Sequence, residues 1–127
     1  MNQRAVVMLV LVAFSTFFLV TAWSQEGMKV VSSGAFAQPQ RPAAVFPHDA
    51  HNENAQIDNC NECHHVFQDG KLVEDESSED RRCSDCHGLE DAGRQPGLTK
   101  AFHLNCKGCH QAKKKGPVMC GECHVRH

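Results

Sequence analysis

Apolar residues along this chain come first as one long run and afterwards only in pairs and singletons. Met1-Asn2-Gln3-Arg4 opens it, and from Ala5 to Ala22 there follow eighteen residues without a charge. Such a run reads either as a secretory signal or as a membrane helix at the short end of the usual range. Ala22-Trp23-Ser24 is a tolerable small-x-small cleavage site, while Ala35-Phe36-Ala37 fits the pattern better but sits far beyond the run. The expected division is a signal peptide or uncleaved membrane anchor over 1–24, a linker or flexible arm with scattered Gly, Pro and Ser over 25–43, and one folded domain over 44–127. Both readings of the first segment send the folded part across a membrane.

Within the arm, Val30-Val31 has the character of a short edge strand or of plain linker. Ala44-Val45-Phe46 is the next apolar stretch and runs into Pro47-His48-Asp49-Ala50-His51, whose two histidines, three apart, come together on a helical turn. Val66-Phe67 and Leu72-Val73 flank Asp69-Gly70, the pattern of a small hairpin. The segment from Glu74 to Asp80 is acidic without apolar periodicity and reads as a solvated, mobile excursion. From Leu98 to Ala112 the spacing predicts a helix, capped by Thr99, on which Phe102, Cys106, Cys109 and His110 return at helical intervals, and Gly116-Pro117 stops it. Large apolar side chains are few after Gln25 and tyrosine is absent, so the polypeptide alone can bury only a marginal core.

The cysteines change that picture. All eight fall in four copies of one motif: Cys60-Asn61-Glu62-Cys63-His64, Cys83-Ser84-Asp85-Cys86-His87, Cys106-Lys107-Gly108-Cys109-His110 and Cys120-Gly121-Glu122-Cys123-His124. C-x-x-C-H reads as a c-type haem attachment site. On a helical turn the spacing puts both thiols on one face, where each can close onto a haem vinyl group, and the following histidine can lift its imidazole to the iron from the same face. Paired C-x-x-C units also suit zinc or redox dithiols, but neither use calls for a histidine after every second cysteine. Thiols held as thioethers need no disulfide framework. Four covalent haems c would provide the missing apolar surface. The expected fold is a small multihaem cytochrome: mainly loops and short helices wrapped around four haems, with a short N-terminal hairpin or two-stranded sheet, folding only with its cofactor.

Nine histidines bear on the second axial position. His64, His87, His110 and His124 belong to the motifs, which leaves His48, His51, His65, His103 and His127. Four irons can thus all be closed by imidazole with one histidine over. Met28 in the arm and Met119 beside Cys120 are the competing donors, both poorly placed. Imidazole on both sides of the iron implies low potentials. It also removes the need for an open coordination position, which weighs against a multihaem reductase, and no catalytic residue is expected.

With these motifs and histidines the sequence resembles the class III cytochromes c, the tetrahaem cytochrome c3 family, from about Val45 to His124. The family's Phe-x-His-x-x-His segment is Phe46-Pro47-His48-Asp49-Ala50-His51 here. The resemblance implies that His48 closes haem I opposite His64 and His51 closes haem III opposite His110. It likewise implies that His65, second of the doubled histidine after the first motif, closes haem II opposite His87, and that His103 closes haem IV opposite His124. Phe46 fits the ring often found between haems I and III. The stretch from Cys106 to His124 is similar to the trihaem cytochromes c7, which lack haem II, whereas Cys83, Cys86 and His87 are present for it here. All four motifs have two residues between their cysteines, whereas some family members use four at haems II or IV, and nine residues separate His110 from Cys120, a shorter link than is typical of c3.

Charge is segregated behind a formal net of -2. Asp49 to Asp91 holds thirteen acidic and three basic residues, a balance of -10, and Ala92 to His127 holds seven basic and one acidic, a balance of +6. Lys107, Lys113, Lys114 and Lys115 resemble the family's lysine-rich docking surface around haem IV; a solvated face is the plain alternative. The patch is too small and the rest too acidic for nucleic acid. The resemblance implies low-potential electron transfer in the periplasm, between a dehydrogenase such as hydrogenase or formate dehydrogenase and a membrane redox complex. The alternative is a subunit of a respiratory complex, tethered to the inner membrane by residues 5–22.

Overall fold

In a computed structural model, which describes residues 27–31 and 34–126, the regular elements are short and lie between long loops. The apolar run from Ala5 to Ala22 and His127 lie outside the described residues. Among the described residues no helix is long and apolar enough to cross a membrane.

Strand β1 (Val30–Val31) pairs antiparallel with β2 (Ala44–Val45), in the register Val30 to Val45 and Val31 to Ala44. The Phe46 amide donates to the Lys29 carbonyl at 2.8 Å and the His48 amide to the Met28 carbonyl at 3.0 Å, which carries the pairing up to the first helix. The arm is therefore laid against the chain that leads to His48. Helix α1 (His48–Ala55) follows and ends at Gln56, whose φ of 56° lies in the left-handed region.

A second hairpin joins β3 (Val66–Gln68) to β4 (Lys71–Val73) through Asp69 and Gly70, both at positive φ (51° and 76°), as the sequence pattern predicts. Next, the acidic segment is solvated but not a free excursion. Asn61 Nδ2 donates to the Glu74 carbonyl, the Ser78 amide to the His64 carbonyl at 2.8 Å, and Ser78 Oγ to the His65 carbonyl at 3.1 Å. Serine hydroxyls bond backbone in this way without any apolar pattern, which is why periodicity gives no sign of it.

Helix α2 (Cys83–Cys86) is a single turn, α3 (Leu98–Lys113) is the one long element, and α4 (Cys120–Cys123) is again a single turn. The start of α3 is not held by Thr99, which lies inside its first turn. The N-cap is Gly97, whose amide donates to Asp91 Oδ1 at 2.7 Å, and the Leu98 amide donates to the Gly88 carbonyl at 2.6 Å. A carboxylate from a loop folded back over the helix end thus replaces a local hydroxyl. The approach is close: a Cβ on Gly97 would lie 2.7 Å from the Leu89 carbonyl oxygen. The other Asp91 oxygen pairs with Lys100 Nζ at 2.9 Å.

The Gly97 amide and Lys100 together hold the Asp91 carboxyl below its ordinary value of 3.8. A depressed carboxyl contributes stability above its unfolded value and loses it as pH falls through the folded one. Asp91→Asn should accordingly lower the melting temperature at neutral pH, with the gap to the parent closing below pH 3.8; melts across that range check it.

Leu98, beneath the loop, is the only fully buried hydrophobic side chain among the described residues. Phe67, Leu72, Leu89, Leu104 and Met119 are all exposed. Among the described residues the polypeptide encloses no core beyond Leu98.

Candidate haem sites

Each C-x-x-C-H motif is built on one helical turn, closed by a backbone bond from the histidine to the first cysteine. His64, His87 and His124 amides donate to the carbonyls of Cys60, Cys83 and Cys120 at 2.8, 2.8 and 2.9 Å, and Cys106 to His110 lies within α3. The turn at Cys60–Glu62 is a 3-10 turn, with Asn59 Oδ1 accepting from the Asn61 amide at 3.4 Å. In the second and fourth motifs the residue before the second cysteine is acidic and folds back as a cap. Asp85 accepts from the Arg82 amide at 2.9 Å, and Glu122 from the Met119 and Val118 amides at 2.7 and 3.0 Å.

No disulfide joins the eight cysteines. Burial pushes the Cys106 thiol up to about 11 and raises Cys63, Cys83 and Cys123, while a hydrogen bond to Glu79 raises Cys60. Redox dithiols and zinc thiolates have the opposite tendency.

Eight imidazoles stand in four opposed pairs. Ring centroids are 6.4 Å apart for His48 and His64, 6.0 Å for His65 and His87, 6.1 Å for His51 and His110, and 6.4 Å for His103 and His124. Phe46 lies against two of them, 5.9 Å from His48 and 4.8 Å from His51, and Phe67 stands edge-on to His65 at 5.4 Å. Burial lowers the pKa of His64 and His65 and so favours their neutral, metal-binding form. Among the described residues no three or more of His, Cys, Asp and Glu converge as a bare metal ion requires. The histidines meet in twos.

Ring orientation is set from outside each pair. His87 Nδ1 donates to the Pro96 carbonyl at 2.8 Å, His110 Nδ1 to that of Pro117 at 2.6 Å, and His124 Nδ1 to that of Pro42 at 2.6 Å. A carbonyl only accepts, so Nδ1 carries the proton and the lone pair of Nε2 is left for a metal. His48 Nδ1 instead donates to a carboxylate, Asp49 Oδ1, at 2.8 Å. The glycine at 116, with φ of 93°, lies on the face of His110: a Cβ there would come within 2.7 to 2.9 Å of three ring atoms. None of these supports is visible as a motif; the sole sequence signal is a proline some seven or nine residues past a motif histidine.

Two longer contacts tie the sites together. Asn105 Nδ2 on α3 donates to the Cys63 carbonyl at 3.1 Å, and the Pro42 bond joins the arm to the last motif across 82 residues. Lys113 closes α3, and Lys114 and Lys115 follow it exposed, a favourable position for cations at a helix C-terminus. Lys107 lines an open groove of about 700 Å³ beside His103 and Leu104.

The family model described as the class III cytochrome C family matches residues 24–124. A cytochrome c7 of Geobacter metallireducens is 32% identical over 82 residues, a match spanning 64% of this chain and 62% of that protein, so the chain aligns with less than two thirds of it. A cytochrome c3 of Desulfovibrio desulfuricans is 29% identical over 103 residues, covering 77% of this chain and 93% of that one. A solved member of the triheme cytochrome family from Geobacter sulfurreducens is 29% identical, with a TM-score of 0.37 over 70% of this chain and 92% of its own. The chain belongs to the class III cytochrome c family, small multihaem c-type cytochromes of the periplasm that carry electrons rather than transform substrates.

Proposed function

We propose that this protein carries electrons at low potential through four covalently bound haems c, each with an imidazole on either side of its iron: His48 and His64, His65 and His87, His51 and His110, His103 and His124. The observation that carries the reading is the spacing of those pairs, 6.0 to 6.4 Å between ring centroids. Two nitrogens bonded to one ion from opposite sides, each at roughly 2 Å, put the ring centres roughly 6 Å apart. Cys60 and Cys63, Cys83 and Cys86, Cys106 and Cys109, and Cys120 and Cys123 are the attachment thiols. When bound, each haem supplies a one-electron ferric/ferrous couple. The chain holds the rings, fixes their tautomers, covers the apolar faces with Phe46, Phe67 and their neighbours, and sets the local charge. Electron paramagnetic resonance of the oxidised holoprotein tests the ligation: four low-spin signals are expected, and a high-spin or mixed imidazole–thioether signal would remove a pair.

The partners in this reading are a periplasmic dehydrogenase such as hydrogenase or formate dehydrogenase and a membrane-bound oxidoreductase complex. Lys107, Lys113, Lys114 and Lys115 form the docking side for an acidic partner, where opposite charge speeds encounter. Reversing Lys113 and Lys114 to Glu should slow bimolecular reduction by such a partner about tenfold or more at low salt and flatten its salt dependence; stopped-flow rates against ionic strength measure both. The apolar run from Ala5 to Ala22 favours a second form of the same role, a cytochrome tethered to the inner membrane as part of a respiratory complex. N-terminal sequencing of the native protein separates the two, since the tethered form retains Met1.

A further inference from the structure

The four imidazole pairs are not supported alike. Of the candidate ligands whose Nδ1 bonds to a backbone carbonyl, His87, His110 and His124 all use a prolyl one, which is neutral. His48 bonds to a carboxylate. Asp49 is held for this: Oδ1 accepts from His48 Nδ1 at 2.8 Å and Oδ2 from the Gly27 amide at 3.2 Å. Gly27 is placed by the pairing of the arm with the strand before His48, so the arm fixes the carboxylate and the carboxylate fixes the ring. Asn52 Nδ2 lies 3.5 Å from His48 Nε2, on the side where that nitrogen presents its lone pair.

An anionic acceptor pulls the Nδ1 proton further from the ring than a carbonyl does and makes Nε2 the stronger donor. A stronger donor favours ferric over ferrous iron. We infer that Asp49 is a positioning residue that singles out haem I, biasing its iron toward the ferric state through the His48 imidazole. This deepens the proposed four-haem, bis-imidazole reading and rests on it. Asp49 is exposed, so solvent screens its bare charge and the hydrogen bond transmits the effect. A carboxylate that acted only through space would reach neighbouring haems too; one that acts through Nδ1 is selective.

The test is a redox titration of the holoprotein in which NMR of the haem methyl groups follows each haem separately, for the parent, Asp49→Asn and Glu53→Gln. Asparagine keeps the shape and the acceptor oxygen but removes the charge. Glu53, exposed on the same helix α1, controls for loss of one charge nearby. In Asp49→Asn the ferric-to-ferrous ratio of haem I at fixed potential should fall about three- to tenfold, with the other three haems and all of Glu53→Gln changing much less. Equal shifts in both variants, or one shift shared by four haems, overturn the inference. Low-spin spectra in every variant show that the bis-imidazole reading stands whichever way this falls. Should Asp49→Asn fail to mature, the reduced parent protein decides: the Nδ1 proton of His48 is expected downfield of those of His87, His110 and His124, and coincident resonances contradict the assignment.

Discussion

Without haem attachment this chain should not fold. With serine at all eight motif cysteines, the exported polypeptide is expected to give a coil-like far-UV circular dichroism spectrum and no cooperative thermal transition, where the holoprotein gives both helix and a sharp melt. The reason lies in how little apolar surface the described chain buries, a single hydrophobic side chain, Leu98. Its strands are two or three residues long, α2 and α4 are single turns, and α1 has eight residues. Isolated two-stranded hairpins are marginal in water, and isolated helices shorter than about 12–15 residues are too. Only α3, with sixteen residues, approaches self-sufficiency. Leu104 at 59% and Met119 at 67% exposure are apolar surfaces waiting for a cofactor rather than a solvated finish. Circular dichroism of the serine variant checks this; a native-like spectrum with a cooperative melt would mean that the polypeptide organises itself.

Gly116→Ala should have a large effect for a single methyl group. At φ of 93° an alanine is strained by about 1–3 kcal/mol before any contact is considered. Its Cβ would also lie 2.7 Å from Cδ2 and 2.9 Å from both Cγ and Nε2 of His110. The ring cannot simply retreat, because Nδ1 is bonded to the Pro117 carbonyl at 2.6 Å and the His110 carbonyl accepts from the Lys115 amide at 3.0 Å. The loop from Lys114 to Pro117 wraps the imidazole as a cradle sized for glycine. On the proposed ligation, the outcome is a weakened iron–His110 bond, a high-spin signal from one haem of the four, carbon monoxide binding at that haem when reduced, and a lower melting temperature. Gly34→Ala, which has open space around it, should leave every spectrum unchanged. A Gly116→Ala protein indistinguishable from the parent by electron paramagnetic resonance would show that the loop shifts without cost.

Features encoded within a few residues were readable in advance. Asp69-Gly70 announces its hairpin because both residues tolerate positive φ, and the long helix was placed to within a residue at its C-terminal end, 98–112 against 98–113. The motif turns follow from four-residue spacing that any helical turn obeys. Supports that cross the sequence were not legible. Thr99 looked like the cap of α3 because it is local, yet the acceptor comes from Asp91 in a loop that must first fold back. Pro42 orients His124 from 82 residues away, and Ser78 pins the acidic segment to His64 and His65 through ordinary backbone carbonyls. Asp49, next to His48, reads as one acid among thirteen until the ring is seen to bond it. Chemistry that resides in residue type is visible in a sequence; second partners chosen by tertiary packing are not.

On the proposed reading, four irons, each between two imidazoles, form the interior of this protein. Intact mass spectrometry of the mature exported protein, on the sample that gives the low-spin spectra, tests it most directly. The expected mass is that of the polypeptide plus four haem groups, with no free thiol available to alkylation; three haems, or two alkylatable cysteines remaining at any one motif, would rule it out.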